Sequence, residues 1–184
     1  DHIIKDTNID VFFHMAHMGV NGVNKVDYKI QLENSIAACE VVEAAKRLNC
    51  KRFVFSGSVD EYEINYSPDD PFKEPSHSRT YALCKYASEN IGKVIAHKSE
   101  MEYVTALLTL TYGEGNKTNI LPNVLIRNSL MGKQMNLIKG DNYFDLIYIS
   151  DAVDAIITMA KKGKNMESYY VGHHNLRTFR QSIG

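Results

Sequence analysis

Apolar residues recur along this chain in two periods, and the alternation between them lays out a fold. Residues 1–8 have the pattern of a helix tail, and Asp10–Ala16 (Asp-Val-Phe-Phe-His-Met-Ala) follows as a short buried strand. From about Asp27 to Leu48 the spacing turns helical, with Ile30, Ile36, Ala37, Val41, Val42, Ala45 and Leu48 at the apolar positions. Asn49-Cys50 closes that helix, and Arg52–Ser56 reads as a second buried strand. The polar stretch from Asp60 to Arg79 carries Pro68, Pro71 and Pro75 and predicts a loop. Ser78 or Thr80 can cap a helix that runs to about His97. Tyr103–Leu110 is a third strand, broken at Gly113-Glu-Gly-Asn116, and Ile120–Met131 is a helix. Met135–Lys139 and Phe144–Ile149 predict short strands, Ser150 opens a helix to about Lys161, and Ser168–Val171 is a last strand. Strand and helix in alternation predict a parallel α/β sheet.

Composition narrows the classes. With 21 Lys+Arg against 22 Asp+Glu the net charge is −1, which gives no electrostatic footprint for nucleic acid or an anionic membrane surface. No apolar run approaches the ~20 residues of a membrane span. Cys39, Cys50 and Cys84 are odd in number and form no CxxC pair, which predicts reduced thiols and a cytoplasmic location. His173-His174 has no third ligand at a metal spacing, so no metal site is expected. Cys84 reads as a structural thiol, and His14 as a packed histidine.

The chemistry is concentrated in Phe55-Ser-Gly-Ser58 and Thr80-Tyr-Ala-Leu-Cys-Lys85. Tyr81 and Lys85 are four apart, so they leave one face of a helix, and Ser58 stands at a strand end. A phenol is a poor base near neutrality, and a nearby ammonium favours its phenolate. A serine hydroxyl beside it can hold the oxygen of a carbinol or carbonyl. Such a trio can move a proton on and off a C–OH while a hydride leaves or joins the same carbon.

This order of strand, Ser-Gly-Ser, Pro-rich loop and Tyr-x-x-x-Lys resembles the short-chain dehydrogenase/reductase superfamily. In particular it resembles the extended branch acting on nucleotide sugars. The resemblance implies a Rossmann-like doubly wound parallel sheet, with NAD or NADP as cofactor and a nucleotide-diphosphate sugar as substrate. It implies a homodimer through the helices at about 27–48 and 80–97. Ser58, Tyr81 and Lys85 take the catalytic positions. Met15, Ala16, His17, Asn34, Ser56, Tyr81, Lys85 and Thr111 fall where relatives hold the cofactor, although a solvated helix residue is the other reading of Asn34. Ser58, Val59, Tyr81, Tyr112 and Asn119 fall on the substrate side. The glycine-rich phosphate turn of such folds is absent from the sequence. Asp10–Gly19 resembles the family's fourth strand, so the first βαβ phosphate-binding units are expected to precede residue 1, and Gly184 to lie at the start of a later helix. Residues 1–112 then form the latter part of a cofactor domain, and 113–184 a mixed segment with part of a small substrate region and the last strands.

Three departures leave the substrate open. Leu107-Leu-Thr-Leu110 stands where relatives carry Arg-Pro-x-Asn, Glu61-Tyr-Glu63 stands for Val-Tyr-Gly, and Ser150 replaces the first of an Asp pair. Dehydratases of the branch place an Asp-Glu pair directly after the catalytic hydroxyl, where this chain has Val59 and Asp60. The expected activity is therefore epimerisation or 4-keto reduction. A 4,6-dehydratase is the alternative within the family, and a non-catalytic Rossmann-like binding protein or inactive fragment the alternative outside it.

Overall fold

The structure is a computed structural model that describes residues 8–66, 76, 78–134, 140–141, 143–174, 177–178 and 180–181. The expected helix tail at the N-terminus, the strand at 135–139 and the helix at the C-terminus lie outside these residues, except for Asn8 and for Arg180 and Gln181, which are helical.

Four strands form the main sheet: β1 (Val11–His14), β2 (Arg52–Ser58), β3 (Glu102–Leu108) and β7 (Ser168–Val171). They are parallel and ordered β1-β2-β3-β7, in register Phe13↔Val54, Val54↔Val104 and Ala106↔Tyr169. Two long helices, α2 (Tyr28–Arg47) and α4 (Arg79–His97), connect the first three strands. Successive side chains of a strand leave opposite faces. Phe53, Phe55 and Tyr103 pack with Ala38, Val42, Ala45 and Ala96 in one core. Val104 and Ala106 meet Ile147, Ala152 and Met159 in the other, which α6 (Ile149–Lys162) covers. Helices on both faces make the parallel sheet doubly wound, as the family resemblance implies.

Single residues fix the junctions. Asp27 caps α2 by accepting from the Lys29 and Ile30 amides at 2.9 and 3.5 Å. Arg52 donates to the Met159 and Ala160 carbonyls at 3.2 and 2.8 Å, a cation at the negative end of α6. Gly92 lets α4 lie on the sheet: a Cβ there would sit 2.8 Å from the Tyr103 hydroxyl.

The structure differs from the pattern in four places. The strand expected over 103–110 breaks at Thr109, whose amide and hydroxyl both donate to the Val171 carbonyl at 3.1 Å. Beyond the break, β4 (Leu110–Tyr112) leaves the main sheet and pairs in parallel with β6 (Leu146–Tyr148). The region expected to be a loop after Ser58 opens with a 3-10 turn, Val59–Glu61, and a short helix α3 (Tyr62–Tyr66). Between β1 and α2, where the apolar pattern marks no helix, the chain forms a one-turn helix, α1 (Val23–Val26), and the Gln31 amide donates to the Gly19 and Asn24 carbonyls at 3.0 Å each. A two-residue β5 (Tyr143–Phe144) pairs with β8 (Arg177–Thr178), with α5 (Leu121–Leu130) preceding them. Because β7 returns to the sheet beside β3, residues after 113 complete the same layer as those before it.

Candidate active site

The carboxyl end of the sheet opens on a cleft of about 410 Å³ whose walls come from five segments. The stretch after β1 gives Met15, His17 and Asn21, and α1 gives Lys25. The end of β2 gives Ser56, Ser58, Val59 and Asp60, and α4 gives Tyr81 and Lys85. Thr109, Thr111 and Asn116 follow β3. Clefts at this end of a parallel sheet, where the connections diverge, are where such folds bind ligands.

Ser58 is aimed by its own turn. Its hydroxyl accepts from the Asp60 amide at 3.2 Å, while Glu61 Oε1 accepts from the Ser58 amide at 2.7 Å. This reciprocal S-x-x-E cap ends the strand and starts the turn. Gly57 makes room for it, since a Cβ there would lie 2.7 Å from Glu61 Oε1. The Ser58 hydroxyl favours the Tyr81 phenolate, against the larger influence of burial. Burial, the largest influence, together with the charges of Asp60 and Glu61, pushes the phenol up to about 12.

Lys85 is only 3 % exposed, and its ammonium donates to the Ser56 carbonyl at 2.6 Å, 5.0 Å from the Phe55 ring centre. Burial brings it down to about 8, against the pull of Glu61. His17 meets the Tyr81 ring edge-on at 5.3 Å and hydrogen-bonds Gln31 Oε1 at 2.9 Å. Burial first, then Lys85, brings it down to about 4, so it is neutral at physiological pH.

Eight of the residues singled out from the sequence line this cleft: Met15, His17, Ser56, Ser58, Val59, Tyr81, Lys85 and Thr111. The other four, Ala16, Asn34, Tyr112 and Asn119, are not among its lining residues. Asn34 receives the Met18 amide at 2.9 Å and donates to the Met18 carbonyl at 2.8 Å, so its amide shapes the loop that contains Ala16 and His17. Tyr112 packs edge-on against Tyr148 at 5.5 Å, and Asn119 accepts from Arg127 at 3.3 Å. His14 packs between the rings of Phe53 and Phe55. The three cysteines are free thiols, and among the described residues no cluster of His, Cys, Asp or Glu has the makings of a metal site.

Two features went unread in the sequence. One is the ion pair of Lys25 and Asp60 at 2.6 Å, for which no local motif exists because 35 residues separate the partners. The other is Glu61, which turns inward beneath the sheet and had a readable signal in the Ser58–Glu61 capping box. Burial first, then the neighbouring Glu89 carboxylate, pushes Glu61 up to about 9, while Lys93 and Ser168 hold Glu89 low in spite of its burial. A carboxyl protonated in the fold and ionised in the unfolded chain loses stability as pH rises through the interval between the two values. Between about pH 6.5 and 8, above the range where His17 and below the range where Lys85 contributes a slope of opposite sign, the wild type is therefore expected to lose melting temperature as pH rises, at roughly 2–4 °C per kcal/mol. Glu61→Gln keeps the acceptor for Ser58 without the titration and should flatten that decline. Parallel slopes in thermal melts would contradict this.

The family model for the NAD dependent epimerase/dehydratase family matches residues 1–172. The chain belongs to this family. A dTDP-glucose 4,6-dehydratase of Escherichia coli is 26 % identical over 194 residues, covering 91 % of this chain and 52 % of that protein. The solved structure of MoeE5 in complex with UDP-glucose and NAD superposes with a TM-score of 0.78 at 20 % identity, covering 95 % of this chain and 60 % of that one. A UDP-N-acetylglucosamine 4-epimerase from Bacillus cereus does so at 0.78 and 21 %, covering 94 % and 59 %. The chain spans about half the length of the curated relatives it matches. Among the described residues of this epimerase/dehydratase family member, no helix is long and apolar enough to cross a membrane.

Proposed function

We propose that the protein carrying these residues is an NAD(P)-dependent nucleotide-sugar epimerase or 4-keto-reductase. The observation that supports it is the meeting of Ser58, Tyr81 and Lys85 in one cleft. An ammonium, two hydroxyls and a phenol at one end of the cleft have the donor chemistry for a ribose and a carbinol, so the residues present fit a nicotinamide cofactor. NAD, the cofactor in the family's name, supplies a hydride acceptor when bound.

The protein's own residues handle the proton. Ser58 holds the reacting sugar oxygen and aims it at Tyr81. With its phenol proton-loaded at neutrality, Tyr81 is an acid towards a developing alkoxide, and its phenolate is the base in the reverse direction. Lys85 offers its ammonium to a ribose hydroxyl and favours the phenolate. Met15, His17, Ser56 and Thr111 line the cofactor side, Val59 lines the sugar side, and Asn34 acts through the loop it braces. A nucleotide sugar deuterated at C4 should slow turnover by an isotope effect and pass its label to the nicotinamide, read as heavier cofactor when the reaction is quenched mid-turnover, before an epimerase returns it to C4. Product formed with no isotope effect and no labelled cofactor in the quenched reaction would overturn the reading.

Dehydration is disfavoured for a specific reason. It needs an acid and a base beside the catalytic hydroxyl. Here Val59 has no proton to give, Asp60 is ion-paired to Lys25, and Glu61 faces the core.

The partner on the outer helix face is a second copy of the chain. Leu32, Ile36, Leu83 and Ile91 are 46–61 % exposed along α2 and α4 and line an apolar groove of about 580 Å³. The sequence pattern counted Ile36 with the core spacing, yet it is 61 % exposed. Two parallel stripes on adjacent helices are self-complementary about a two-fold axis, the commonest closed symmetry. Light scattering should give a dimer, and Ile36→Glu a monomer with its fold intact. A monomeric wild type at the same concentration would contradict the interface.

A further inference from the structure

Lys25 occupies a position that the proton chemistry of Ser58, Tyr81 and Lys85 does not explain. Its ammonium lies 4.7 Å from the centre of the Tyr81 ring and 2.6 Å from the Asp60 carboxylate. Both side chains of this pair are only 28 % exposed, so solvent screens them less than a surface pair. Lys85, the other ammonium of the cleft, is bonded to the Ser56 carbonyl. The fold therefore puts one cation on the ring face of Tyr81 and one carboxylate beside it, and ties the two together.

We propose that Lys25 and Asp60 form a charge-balancing pair that sets the ionisation of Tyr81, with Lys25 as a positioning residue for that acid/base. A cation over an aromatic face favours the electron-rich phenolate, and a carboxylate nearby opposes it. Paired, the two nearly cancel. Unpaired, either one dominates. The other groups facing Tyr81 are the neutral His17 ring after β1, the Ser58 hydroxyl and the buried Glu61 from the β2 end, and Lys85 on the same helix. None of these is bonded to the Lys25 ammonium, so the same background faces Tyr81 in every variant. Of the two acids raising the phenol, Asp60 is the first after burial, which agrees with its need for a counter-ion.

The proposal rests on Tyr81 as the acid/base for its importance to catalysis, and its test is independent of turnover. Difluorotyrosine in place of Tyr81 ionises nearer neutrality than tyrosine and reports its own state by fluorine NMR. It would be titrated in the full chain carrying Lys25→Met, Asp60→Asn or both. Lys25→Met leaves Asp60 unopposed and should raise the midpoint by roughly one pH unit. Asp60→Asn frees the ammonium over the ring and should lower the midpoint by a similar amount. The double variant should return close to the starting midpoint, and Lys25→Arg should leave it nearly unchanged. A merely structural pair would move both single variants in the same direction, or neither. Either pattern overturns the proposal. Should Lys25→Met fail to fold, the downward shift in Asp60→Asn still decides it, and an unchanged midpoint there refutes the coupling.

Discussion

Tyr81→Phe should lower turnover by roughly two to four orders of magnitude while leaving NAD affinity nearly unchanged. The substitution removes one oxygen and keeps the ring, so the edge contact with His17 and the packing of α4 persist. What disappears is the phenol that shares the cleft with the Ser58 hydroxyl, and with it the proton that the proposed reaction needs. Ser58 and Lys85 remain to bind, so calorimetry should return the wild-type cofactor affinity. A variant turning over within about tenfold of the wild type would remove Tyr81 from the acid/base role.

Lys85→Met should fail differently, losing cofactor affinity together with rate. A hydrogen bond from a charged group contributes about 1.5–3 kcal/mol, so the dissociation constant for NAD should weaken by roughly 10–150-fold. Folding is not at risk from the exchange. The ammonium is 3 % exposed and brought down to about 8 from an ordinary value near 10.5. A lysine with a lowered folded value costs stability while it is charged, and the cost is relieved as pH climbs from 8 towards 10.5. Methionine fills the same channel with no charge, so melting near neutrality should not fall. Unchanged NAD affinity in calorimetry would contradict the role of Lys85.

How much of this was legible beforehand follows from the range of each interaction. Elements with strong periodicity were readable to within about two residues: α2, α4, β2 and β7 are set by local apolar spacing. The i, i+4 relation of Tyr81 and Lys85 is local too, and so is the strand end that carries Ser58. What escaped depends on contacts across the fold. Thr109 breaks a β-rich run because Val171, 62 residues away, takes both of its donors. Tyr112 and Asn119 sit next to cleft residues in sequence, and their contacts with Tyr148 and Arg127 have no local signature. Lys25 has no partner within reach in sequence, and only the fold brings Asp60 and the Tyr81 ring to it. Glu61 is the opposite case, a local signal overlooked because a Pro-rich acidic stretch reads as a loop.

The claim at the centre of this account is that the cleft oxidises or reduces a sugar carbon and leaves the sugar's water in place. It is tested most directly by offering the protein a panel of nucleotide sugars with NAD and NADP and weighing the products. A mass change of zero for epimerisation, or of two hydrogens for net oxidation or reduction, is the predicted result. A stable product lighter by one water would contradict it, and would show that Asp60 can work as an elimination base despite its bond to Lys25 and the valine before it.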